Sequence, residues 1–180
     1  MKLPSIIKNK WVIIGAAATA VVSVVIIVLL RRKKKGRTMT KSGKSYFTIE
    51  ELCKSRPGYD NTPSEEIKKN LQQLIDKVLD PMREAYGAAV NVTSGYRSPA
   101  YNKAIGGAKN SQHMKGQAAD LQTKEGKAGN KRLFDIIRKQ GNFDQLINEK
   151  DYQWIHVSHN PNGNRGQVLR YDGQKYYPMA

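Results

Sequence analysis

The chain is 180 residues long, room for one domain and an appendage but hardly for two full domains. Its formal net charge is +16, yet residues 1–45 hold eleven lysines or arginines and no acid, leaving the rest at about +5. That asymmetry weakens any case for nucleic-acid binding from overall charge. The single cysteine, Cys53, excludes an intramolecular disulfide, so cysteine usage does not mark a disulfide-built secreted scaffold.

Residues 1–10 form a short basic tail. Residues 11–30 (WVIIGAAATAVVSVVIIVLL) run for twenty positions without a charge, long enough to cross a bilayer as a helix. The run exceeds the apolar region of about 7–15 residues usual in a signal peptide, and it ends against Arg31 and Arg32 rather than a small-residue cleavage site. It therefore reads as an uncleaved single-pass anchor. Three lysines precede it and eight basic residues follow it through Lys44, a bias that would leave the carboxy-terminal domain in the cytoplasm. Residues 31–45 read as a basic flexible linker, and residues 46–180 as the folded domain.

Within the domain, Thr48 is positioned to cap a short helix over Phe47–Leu52, with Glu51 as its capping-box partner. Ser64 caps a longer helix, with Glu65 and Glu66 in its first turn. Ile67, Leu71, Leu74, Ile75, Val78, Leu79 and Met82 follow its 3.6-residue period as one buried stripe. Pro81 should kink this helix or begin a new turn, and Gly87 should stop it. A strand is expected over Ala88–Thr93, then a short helix and glycine loop over 100–110, and a strand over Gln117–Leu121. A helix follows over Gly129–Gln140. Phe143–Asn148 and Trp154–Ser158 read as two strands joined by a turn, and the tail could add a hairpin around Asp172-Gly173. The pattern is α+β, helices packed on a small antiparallel sheet, preceded by one transmembrane helix.

All three histidines fall in two segments, Ser111–Asp120 and Trp154–His159. His113, Asp120 and His156 together make a three-ligand zinc set of the kind that leaves a fourth position for water. Asp120 sits between Ala119 and Leu121, where an unpaired carboxylate is costly. A metal resolves that cost, and so would backbone amides or a lysine. His156 has a structural reading as well as a ligand one, and His159 is assigned to a loop at the site rim, outside the metal set. A zinc-bound water needs a base. Glu149, ending the preceding strand, is the nearest candidate, Asp151 competes, and either also reads as a solvated turn acid. Arg97, after a tight Ser-Gly turn, is the candidate for holding a substrate carboxylate.

Ser94-Gly-Tyr-Arg-Ser98, Ser111-Gln-His-x-x-Gly-x-Ala-x-Asp120 and Trp154-Ile-His-Val-Ser158 occur in that order. Together they resemble the zinc D-Ala-D-Ala carboxypeptidase family, which includes phage L-alanyl-D-glutamate endolysins and shares its fold with the hedgehog amino-terminal domain. The resemblance covers roughly Tyr46 to Ser158. It implies one zinc held by His113, Asp120 and His156, Arg97 on the substrate carboxylate, and Ser111 and Gln112 lining the pocket. In some relatives a glutamate stands three residues before the last histidine. Here that position is Gln153, which becomes a substrate-contact candidate. The segment Asp144–Glu149 is similar to the hedgehog-like arrangement, in which a glutamate ends the preceding strand, and this implies Glu149 as the base.

The function implied is a zinc peptidase, carboxypeptidase or endopeptidase, acting on peptidoglycan stem peptides. Its domain would face the cell wall against the charge bias, on a chain of phage or bacterial origin. The alternative is a non-catalytic, zinc-stabilised wall-binding or virion module.

Overall fold

The computed structural model describes residues 45–179. The expected basic tail, the apolar anchor and the linker through residue 44 lie outside the described residues. Among those described, no helix is long and apolar enough to cross a membrane.

Helix α1 (Ile49–Leu52) opens where Thr48 Oγ1 accepts the Glu51 amide at 3.1 Å. Helix α2 (Glu65–Leu74) opens where Ser64 Oγ accepts the Ile67 amide, with Glu65 and Glu66 at its positive end. The expected continuous stripe is then carried through one wide π-helical turn, Ile75–Leu79, into α3 (Asp80–Tyr86). Pro81 accounts for the break. It has no amide to give the carbonyl of Lys77 four residues back, and that carbonyl accepts Asn142 Nδ2 at 2.9 Å instead. Leu71, Leu74, Ile75, Val78, Leu79 and Met82 are all buried along this stripe, each stabilising the fold by about 1.5–3 kcal/mol. Gly87, at φ 79°, ends α3 in the left-handed conformation that a side chain would disfavour.

Six strands follow in one sheet: β1 (Val90–Ser94), β2 (Ala118–Thr123), β3 (Gln145–Glu149), β4 (Trp154–Ser158), β5 (Gln167–Tyr171) and β6 (Tyr176–Pro178). Their spatial order is β1-β2-β4-β3-β5-β6. Helix α4 (Pro99–Ala104) and a 3₁₀ turn (Gln112–Lys115) lie between β1 and β2, and α5 (Gly126–Gln140) lies between β2 and β3.

The sheet corrects one expectation, because it is mostly rather than wholly antiparallel. Strands β3 and β5 pair in parallel. The chain leaves β4, passes through residues 159–166, and returns beside β3 with Arg165 anchored on the buried Asp144 carboxylate and the Gln167 amide on the Asp144 carbonyl. The expected tail hairpin is present as β5–β6, its turn closed by Asp172 Oδ1 accepting the Gln174 and Lys175 amides.

Strand alternation divides the sheet into two faces. Ala119, Leu121, Leu146, Ile155 and Val157 are fully buried on the face covered by α5, which contributes Leu133, Phe134 and Ile137 to the same core. The opposite face presents Asp120, His156, Ile147, Glu149, Trp154 and Leu169. Register makes this a grid. Ser94, Asp120, His156, Ile147 and Leu169 are neighbours along one row of adjacent strands, and Trp154, Glu149, Tyr171 and Tyr176 along the next.

Candidate metal centre and catalytic cleft

Asp120 and His156 face each other across the β2–β4 pair, so two of the three expected ligands are fixed by sheet register. His113 arrives from the 3₁₀ turn, whose start is capped by Ser111 Oγ accepting the His113 amide at 3.3 Å. The turn ends at Gly116, in left-handed conformation and packed so tightly that a Cβ there would stand 2.8 Å from the Ile67 carbonyl oxygen.

His113 Nδ1 donates to the Gly95 carbonyl at 2.7 Å. A carbonyl can only accept, so this bond fixes the tautomer and turns the lone pair of Nε2 towards the cleft. Gly95 can approach because a Cβ at that position would stand 2.2 Å from the Leu52 carbonyl oxygen.

Three donor atoms converge. His113 Nε2 lies 3.2 Å from His156 Nδ1 and 3.2 Å from Asp120 Oδ1, and His156 Nδ1 lies 3.0 Å from Asp120 Oδ1. Tetrahedral zinc with bonds of about 2.0–2.1 Å requires ligand–ligand edges of about 3.3–3.4 Å, close to those of this triangle. One shared proton could serve only one of the three contacts, whereas a cation inside the triangle serves all of them. The residues therefore fit zinc. Burial alone would favour neutral Asp120, but His113 and His156 outweigh it and hold the carboxyl well below the usual range.

Arg97 takes a place the sequence did not indicate. Its Nη2 donates to Asp120 Oδ2 at 2.6 Å, and its Nε to Ser94 Oγ at 2.8 Å. It lines the cleft, but its guanidinium is already engaged in holding the outer oxygen of a metal ligand. The extra residue that the β1–β2 pairing accommodates between Val92 and Ser94 sets Ser94 opposite Asp120, where its hydroxyl meets Arg97.

His113, Asp120, His156 and Arg97 line a cavity of about 510 Å³ together with Ser111, Gln112, Glu149, Trp154, Leu169 and Tyr176. Gln112 Nε2 donates to Asp144 Oδ2 at 2.8 Å, tying the 3₁₀ turn to the start of the β3 segment. Glu149 is 7 % exposed and sits one row from the metal set. Burial pushes its carboxyl up to about 7; the nearby Asp120 charge adds to the rise, and His156, Lys150 and Arg97 oppose it.

The chain turns directly after Glu149 through three consecutive left-handed residues, Lys150, Asp151 and Tyr152, at φ 48°, 57° and 59°. None is glycine, so the turn is strained. Asn148 Oδ1 accepts the Tyr152 amide at 2.6 Å, and Asn130 Nδ2 donates to the Tyr152 and Gln153 carbonyls, which hold it.

The other candidates sort by position. Asp151 is exposed and paired with Lys127 at 2.8 Å, away from the cleft. The Gln153 side chain is exposed on the β3–β4 turn and does not line the cavity; its amide donates to the Glu149 carbonyl at 3.0 Å and its carbonyl accepts from Gln122 and Asn130. His159 is buried on the loop after β4 and stands outside the metal set, as expected. Tyr176, Leu169 and Ile147 were not foreseen in the cleft. Period-two alternation from Glu149 would have found Ile147, but no local signal brings β5 and β6 alongside β3.

The family model for peptidase M15 matches residues 45–158, a span that holds His113, Asp120, His156, Arg97 and Glu149 and ends before β5. No curated protein matches the chain.

Proposed function

Since the chain belongs to the peptidase M15 family, whose members are zinc peptidases, we propose that it cleaves the stem peptides of peptidoglycan, as a D-Ala-D-Ala carboxypeptidase or a related endopeptidase. The observation that carries this reading is one cleft holding both the donor triangle and a buried carboxyl within proton-transfer range of neutral pH.

His113, Asp120 and His156 would hold one zinc ion, which would supply a Lewis acid for the scissile carbonyl and an acidified attacking water. Gly95 fixes the His113 ring and Arg97 fixes the Asp120 carboxylate, so both ligands keep their direction as charge develops. Glu149 takes the proton of the attacking water at its carboxylate and returns it to the leaving amine. Burial, which raises this carboxyl in the metal-free protein, makes it a stronger base than a surface glutamate and so better suited to both transfers. Ser111 and Gln112 line the wall against which the peptide lies. Arg97 keeps Asp120 in place and presents its remaining N–H groups to a substrate carboxylate.

A stem-peptide substrate puts the domain on the wall side of an anchor at residues 11–30, opposite to the flanking charge bias. The test is hydrolysis of synthetic stem peptides by the purified zinc-loaded chain, one set ending in D-Ala-D-Ala and one containing the L-alanyl-D-glutamate bond. Cleavage of either set supports the reading and names the bond. Cleavage of neither, with zinc bound, favours the non-catalytic wall-binding module.

A further inference from the structure

We propose that the β5–β6 hairpin adds a sugar-binding shelf to the cleft, with Tyr176 as its face, Tyr171 stacked behind it and Trp154 on the other side of Glu149. The family match stops at residue 158, yet Leu169 and Tyr176 from beyond it line the same cavity as the metal set. Register explains why. Glu149 pairs with Trp154 on β4 and with Tyr171 on β5, and Tyr171 pairs with Tyr176 on β6, so one carboxylate is flanked along its row by aromatic rings.

The shelf is held in place before any ligand arrives. The Tyr171 and Tyr176 rings stack at 4.6 Å with 29° between their planes, and the Tyr171 hydroxyl donates to the Gly173 carbonyl at 2.8 Å. Lys150 Nζ lies 5.6 Å from the centre of the Trp154 ring. Tyr176 is nevertheless 57 % exposed, so a fixed aromatic face is open to solvent beside the catalytic cleft. An aliphatic side chain gains little from such a one-sided surface and is better served by an enclosed pocket. A pyranose ring fits it: its C–H face stacks on the aromatic plane while its hydroxyls stay turned to water and the polar cleft.

This inference rests on the stem-peptide reading, because stem peptides are joined to an amino sugar at their amino-terminal end. The experiment compares kcat/KM for one stem peptide with and without its N-acetylglucosamine–N-acetylmuramic acid disaccharide, using the full zinc-loaded chain. Saturation-transfer NMR with the free disaccharide runs beside it. The disaccharide-bearing substrate is expected to be preferred by about 5- to 10-fold, the ratio falling towards one in Tyr176→Ala and persisting in Tyr176→Phe, which keeps the ring. Saturation transfer to the sugar is expected in wild type and lost in Tyr176→Ala.

Equal ratios in wild type and Tyr176→Ala, with cleavage intact, overturn the shelf and leave the peptidase reading standing. A ratio lost in Tyr176→Phe points to the hydroxyl and overturns stacking. If no peptide is cleaved, the peptidase reading fails, and the NMR result alone decides the sugar site: transfer that depends on Tyr176 supports it, and absence of transfer overturns it.

Discussion

Glu149→Gln should separate catalysis from stability in opposite directions. Burial holds the Glu149 carboxyl near 7 in the folded chain against 4.5 for an unperturbed glutamate. At about 1.36 kcal/mol per unit, that gap corresponds to roughly 3 kcal/mol. The folded state binds the proton more tightly than the unfolded state. The penalty is therefore absent below pH 4.5, grows between 4.5 and 7, and is complete above 7. Glutamine keeps the shape and removes the titration. In the zinc-free protein, Glu149→Gln is expected to be more stable than wild type by up to roughly 3 kcal/mol at pH 8.5, a melting shift on the order of 10 °C, and no more stable at pH 4. Hydrolysis by the zinc-loaded variant should fall by about 10²–10⁴-fold, the usual contribution of a general base. Urea unfolding at the two pH values reads the stability difference. An identical difference at pH 4 and pH 8.5 would refute a buried, raised carboxyl at position 149.

Arg97→Ala removes the 2.6 Å bond to Asp120 Oδ2 and should weaken zinc binding by about 10–100-fold in a chelator competition; an unchanged affinity would show that the guanidinium does not support the ligand. Gly95→Ala puts a Cβ 2.2 Å from the Leu52 carbonyl oxygen, so its unfolding midpoint should fall by the equivalent of about 1–3 kcal/mol, and a wild-type midpoint would contradict the close approach. In ¹³C NMR the Glu149 carboxyl should titrate near pH 7 without metal and move to lower pH when zinc is added, since a nearby cation favours the carboxylate. No movement would place Glu149 outside the field of the metal.

Most of the site was legible because it rests on local sequence. The SxHxxGxAxD and WIHVS segments carry their own turn and strand patterns, and alternation already put His156 on the face opposite Ile155 and Val157. Caps at Thr48, Ser64 and Gly87 were equally local. The engagement of Arg97 was hidden because Asp120 is 23 positions away and the two meet only through an irregular β1–β2 register. Gln153 stands outside the cavity lining for the converse reason. Its spacing from His156 matches a motif, but the left-handed turn at 150–152 shortens the connection and leaves the side chain in solvent. The tail hairpin could be read from Asp172-Gly173, whereas its parallel docking on β3 comes with the exposed Arg165 reaching the buried Asp144 carboxylate, which no periodicity reports.

A zinc-dependent peptidase built on His113, Asp120 and His156 with Glu149 as base is tested most directly by zinc content and stem-peptide hydrolysis on one preparation each of wild type, His113→Ala and Glu149→Gln. One zinc per chain with turnover in wild type, zinc and turnover both lost in His113→Ala, and zinc kept with turnover lost in Glu149→Gln is the expected result. Undiminished zinc in His113→Ala, or undiminished turnover in Glu149→Gln, would contradict it.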